Sequence, residues 1–207
     1  MRCAFAIVLL SAIAALAHDD TPPIIIKEPE PRFGVPAKLK IYPQNTAKKV
    51  LESAIEAVDK GDYPYLVAHL LDPGFIELKL SDRAKQYEAP LEVELTRLRD
   101  FQYANPDRYR PEDRLPLDKK EFAAVIIERS RQKAFKQLAL DVEQKLRDDP
   151  QSLKDMKKIL RGGTFSDEGA GAKAVNPQVK ESALYFKKIG DRWFLENRQA
   201  DETKKEP

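Results

Sequence analysis

Apolar residues recur at helical spacing through most of this chain and alternate only near its end. Val50, Leu51, Ala54, Ile55 and Val58 share one face of a helix predicted from about Thr46 to Asp59. Asn45 or Thr46 can cap its start, and Gly61 ends it. Tyr63 to Leu71 reads as a second, short helix closed by an Asp72-Pro73-Gly74 turn, and Phe75 to Leu80 as a strand. Pro90 to Ala104 predicts a helix on the line Leu91, Leu95 and Leu98; its proline suits a first turn, and Glu92 and Glu94 favour the positive end of the helix dipole. Pro106, Pro111 and Pro116 make residues 105–117 a loop.

Asp118 then opens what the pattern predicts as the longest helix, with Glu121 three residues on as in a capping-box variant. Its apolar stripe runs from Phe122, Val125 and Ile126 through Ser130 and Ala134 to Phe135, Leu138, Val142 and Leu146. On its polar face Asp141–Lys145 and Glu143–Arg147 are spaced for i,i+4 ion pairs. Asp149 and Pro150 start one more helix, which runs to Arg161 and stops at Gly162-Gly163.

The period then changes to two. Thr164 to Gly171 reads as a flexible loop, followed by a strand near Ala172 to Val175. Ser182 to Ile189 and Arg192 to Arg198 flank Gly190-Asp191 as a β-hairpin. In that register Phe186 faces Leu195, Lys188 faces Trp193 and Leu184 faces Asn197, while Tyr185, Ile189 and Phe194 point to the other side. The prediction is a helix-rich α+β fold: a single domain over residues 45–199 with a small antiparallel sheet, whose C-terminal hairpin packs against helices. A proline-punctuated arm, residues 18–44, precedes it, with Ile24-Ile25-Ile26 able to dock on the domain; a charged tail, residues 200–207, follows.

The first residues set the compartment. Met1-Arg2, the apolar run Ala4 to Ala17 and Ala15-Leu16-Ala17 before His18 fit a secretory signal peptide cleaved near Ala17. The run falls short of the roughly 20 residues a spanning helix needs. Export to the periplasm or the extracellular space is therefore expected, with retention of the leader as an anchor the alternative. The single cysteine, Cys3, lies in that leader, so the mature chain is expected to have no disulfide and no thiolate chemistry. Charge is dense but balanced, 36 basic against 34 acidic residues, which argues against nucleic acid as a partner.

Ala183 to Asn197, with an apolar strand, a Gly-containing turn and a Trp-centred strand, resembles the closing hairpin of the NTF2-like superfamily of cystatin-like α+β cones. The helix at 46–59, then Gly61-Asp62-Tyr63 and a second helix, is similar to the opening of those domains. The resemblance covers roughly residues 46–80 and 172–198. It looks like an exported bacterial member with a helical insertion at about 82–161; a different α+β fold with a similar hairpin is the alternative. It implies a conical pocket between sheet and helices, and no particular chemistry.

Candidate chemistry is sparse. His69 is the one histidine within the domain; with Asp62 and Tyr65, four residues before it on the same helix face, it offers a general base at the mouth of a pocket. The plainer reading is a hydrogen-bonded structural histidine in a chain crowded with carboxylates. Two histidines, no cysteine in the mature chain and no H-E-x-x-H predict no metal, and no cofactor motif is present. The glycines from Gly162 to Gly171 follow a helix instead of leading into one, unlike a phosphate cradle. Lys154, Lys157, Lys158 and Arg161 form a basic stripe, readable as a solvated helix face or as a contact with an acidic polymer or anionic membrane surface. Trp193, Tyr185 and Phe194 are candidates for a ligand or partner surface, because the hairpin is apolar on both sides. The expectation is a non-catalytic exported domain that binds a small molecule or a protein, including a homodimer through the sheet. The alternative is a pocket enzyme, a hydrolase or isomerase, using His69 with a nearby carboxylate.

Overall fold

The computed structural model describes residues 29–167, 169–179 and 183–197. The leader, Ile24-Ile25-Ile26 and the charged tail lie outside these residues. Helices α1 (Ala47–Asp59), α2 (Tyr63–Tyr65, continued by a π-helical turn Leu66–Leu70), α3 (Pro73–Ala104), α4 (Lys119–Asp148) and α5 (Pro150–Gly162) precede a four-stranded sheet. Its strands are β1 (Thr164–Asp167), β2 (Gly171–Val175), β3 (Ala183–Ile189) and β4 (Arg192–Glu196), an antiparallel meander in sequence order. The α+β class and the closing hairpin are those the pattern predicts.

Thr46 accepts a hydrogen bond from the Lys49 backbone N–H and caps α1. At its other end Gly61 and Asp62 donate to the carbonyls of Val58 and Ala57, a paired closure that spends two orphan acceptors of the last turn. The apolar stripe of α1 is buried throughout and packs with Phe186, Trp193 and Leu195 of the sheet and Ile159 of α5. Tyr65 through Leu70, including His69, are all buried, because this turn touches α1, α3, α4 and β4 at once. A segment with apolar neighbours on every side carries no polar stripe.

Helices α3 and α4 form a long antiparallel pair. Near the sheet they enclose Val67, Ala68, Ile76, Leu80, Ala84, Ala134, Phe135 and Ala139. Further out a separate cluster joins Leu91, Leu95, Leu115, Phe122 and Ile126. Among the described residues, no helix is long and apolar enough to cross a membrane.

Several local expectations are corrected. Asp72-Pro73-Gly74 is the start of α3 and not a turn: Asp72 accepts from the Gly74 N–H, and Pro73 sits in the first turn. The same residue types serve turns and helix starts. Phe75 to Leu80 is helical and not a strand; Ile76, Leu80 and Ala84 lie on one buried line, a period that a six-residue window is too short to reveal. The helix continues through Pro90, and α3, with 32 residues, exceeds the 30 of α4. Residues 164–167 are a strand and not a loop; β1 is an exposed edge with only Phe165 half-buried, so it carries little apolar alternation. The hairpin has the expected Phe186–Leu195 and Lys188–Trp193 pairs, but its ladder ends at Tyr185–Glu196, one pair short of Leu184–Asn197.

The outer edge of β4 is covered. Asp72 N–H donates to the Leu195 carbonyl, Trp193 N–H donates to the Gln44 carbonyl, and Leu71 bridges Leu195 in parallel. This satisfies backbone groups that an open edge would offer to another chain. It also fixes the start of α3 to the end of the sheet.

Candidate functional site

The residues nominated from the sequence sit in three places. His69 is 1% exposed, its ring 4.8 Å from that of Tyr65, which in turn lies tilted against Tyr42 at 4.4 Å. His69 Nε2 lies 2.8 Å from the Val35 carbonyl, so that nitrogen carries the proton and donates; Nδ1 is buried with no partner. Burial lowers its pKa and keeps the ring neutral. Asp62 does not pair with it. Its carboxylate accepts from Lys38 Nζ at 3.0 Å and from the Tyr42 hydroxyl at 3.4 Å. The Tyr65 hydroxyl accepts from the Lys38 N–H, and burial raises its pKa. The three residues are close in space, yet each is committed to holding the proline-rich segment against the second helix.

Trp193 faces the core with Phe186 and Leu195 and is 4% exposed. Phe194 points to the opposite face, is also buried, and lies under the Arg192 guanidinium at 5.2 Å. Tyr185, on that same face, is half-buried beneath Lys173. The space between α1, α5 and the sheet, where the resemblance implies a pocket, is filled by side chains of the main core. In the basic stripe Lys157 pairs with Asp59 at 2.8 Å and Lys158 with Asp155 at 3.1 Å, while Lys154 and Arg161 are exposed. Among the described residues, no group of three or more His, Cys, Asp or Glu side chains converges on one point.

A groove opens elsewhere, where α3 begins, α4 ends and β4 runs out. Its volume is about 380 Å³. Leu71, Phe75, Leu138, Val142 and Leu195 make an apolar floor; Lys79, Arg83, Asp141, Lys145, Glu196 and Asn197 make the rim. Helical spacing puts Phe75, Lys79 and Arg83 on one side of α3, and Leu138, Val142 and Lys145 on the facing side of α4. The β4 edge contacts to Leu71 and Asp72 bring the third wall into place.

The rim is wired across the helices. Arg83 donates to Asp141 at 2.6 Å, and Gln137 donates to its other oxygen at 3.0 Å. Hydrogen bonds from Gln137 and Arg83 hold the Asp141 carboxyl below the usual carboxylate range. The sequence pairs Asp141 with Lys145; the longer guanidinium from the neighbouring helix takes that carboxylate instead. The other expected pair forms, with Arg147 donating to Glu143 at 2.5 Å. None of the residues nominated from the sequence lines this groove. Its one-sided arrangement on α3 was hidden because residues 75–80 read as a strand, which sends Phe75 and Lys79 to the same face for the wrong reason and omits Arg83. The chain matches no protein-family profile, no curated protein and no solved structure.

Proposed function

We propose that this chain is a non-catalytic, exported domain that binds a small molecule in the groove between α3, α4 and the end of β4. The observation that carries the reading is the groove's composition: an apolar floor beneath a charged rim, in a volume of about 380 Å³. Ligand sites commonly occupy about 300–1,000 Å³ and combine apolar walls with a few placed polar groups. Export rests on the leader pattern alone. The NTF2-like resemblance is supported by the Trp-containing hairpin packed on α1 and by the opening helix, Gly61-Asp62-Tyr63 and second helix. The site proposed here lies at the end of the sheet, outside the interior that the resemblance implies.

The enzyme reading gains no support from the geometry, since His69 is 1% exposed and Asp62 is bonded to Lys38 and Tyr42. A homodimer formed by strand pairing at a sheet edge would have to use β1, because Gln44, Leu71 and Asp72 cover the outer edge of β4.

The test is a thermal-shift screen of small amphipathic molecules on the mature chain, with two groove-blocking variants. Val142→Trp fills the floor, and Asn197→Trp blocks the rim from an exposed position that leaves the core untouched. Ligands that raise the wild-type melting temperature are expected to lose that effect in both. A stabilising ligand whose shift survives both substitutions would place binding elsewhere and end this reading.

A further inference from the structure

Resting on that reading, we infer that the groove selects an amphipathic anion: a short apolar tail against Phe75 and Val142, and an acidic head held by Lys79 and Lys145. Both carboxylates of the rim are already engaged: Glu196 is not free, and Asp141 is held within the helical pair. Asp141 accepts from Arg83 and Gln137, one at each oxygen, so its negative charge is spent within the protein. Lys79 lies 5.5 Å from the centre of the Phe75 ring and has no carboxylate partner among the described residues. Asp141, the carboxylate four residues before Lys145, is hydrogen-bonded to Arg83 instead; Lys145 acts on it only through space and makes no direct ion pair among the described residues. These two ammonium groups rise from facing helices on either side of an apolar floor. Two cations flanking one apolar cleft favour a ligand that is negative at the mouth and hydrocarbon below. A neutral ligand would fill the floor and leave both ammonium groups as they are, while a cationic one would be repelled.

Carboxylate and phosphate heads share this chemistry, and the experiment separates them. Isothermal titration of the mature chain with octanoate, octyl phosphate, octanol and octylammonium is compared with Lys79→Gln, Lys145→Gln, Lys145→Arg and Asn197→Trp variants. Octanoate or octyl phosphate is expected to bind at least about tenfold more tightly than octanol, and the tighter of the two names the head group; octylammonium is expected not to bind. Lys145→Gln should remove most of that advantage, Lys79→Gln a part, and Lys145→Arg little. Added salt should weaken the anions and spare octanol, since the rim is solvent-exposed. Octanol binding as tightly as the anions, or Lys145→Gln leaving their affinity unchanged, would overturn the anion inference while the groove stands. Failure of all four probes, or binding indifferent to Asn197→Trp, would remove the groove reading and this inference together.

Discussion

Burial keeps His69 uncharged in the folded protein, and that has a measurable cost in acid. Its folded pKa lies below the ordinary value, with desolvation the main cause and the nearby Arg32 and Arg192 charges acting the same way. The unfolded chain therefore takes up a proton near pH about 6.5 that the folded chain refuses. The contribution to stability is complete above that pH and is lost progressively as pH falls towards the lowered folded value, by at most about 1.4 kcal/mol per pH unit. Urea denaturation between pH 7.5 and 5 is expected to show this decline. His69→Gln keeps a donor for the Val35 carbonyl and has no titrating ring, so its stability should change less over the same range. An equal decline in wild type and variant would assign the acid sensitivity to other groups.

Among the elements, the junction of α5 and β1 is the least forgiving. Gly163 donates to the Ile159 carbonyl at 2.8 Å; a Cβ there would collide with that same oxygen and lie 3.0 Å from the Val175 carbonyl. Both obstacles are backbone, which cannot rotate away. Gly163→Ala is expected to cost about 1–3 kcal/mol, the range for overpacking a tight site, and to lower the melting temperature accordingly. An unchanged melting temperature would mean that helix and sheet separate at this joint without penalty. The sequence announces the helix stop at Gly162-Gly163 but not its full steric reason: the Ile159 carbonyl is local, while the Val175 carbonyl is added only once β2 is in place. The same division holds elsewhere. The stripe of α1, the Asp118 and Asp149 caps and the Phe186–Leu195 register are legible because each depends on residues near one another in the chain. The start of α3, the run of that helix through Pro90 and the short edge strand β1 depend on partners far away. The groove was illegible for the same reason, since its walls meet only in the folded chain.

At the scale of the whole molecule, the helical pair is unevenly anchored. Near the sheet its core merges with the buried π-helical turn, and Phe33 stacks on Phe135 at 4.9 Å. Glu77 also bridges Arg32 and Arg131 there. Beyond Pro90, whose missing N–H leaves one gap in the helical ladder, the outer cluster is made, among the described residues, by α3, α4 and the loop that joins them. At about 1.5 Å per residue, α3 extends roughly 48 Å. Hydrogen exchange is expected to open residues 91–104 and 119–127 before residues 76–84 and 134–142, because local stability follows the number of buried partners. Uniform protection along both helices would show that the pair behaves as one rigid unit.

The contact of Leu71 and Asp72 with Leu195 has a consequence for how the chain matures. The third wall of the groove is contributed by Leu195, Glu196 and Asn197, at the end of β4, and it is held by residues more than 120 positions earlier in the chain. A nascent polypeptide therefore has no complete cleft until β4 has emerged and paired with the base of α3. Proteolytic loss of that strand would erase the cleft in one cut, since the helices supply only two of its three sides.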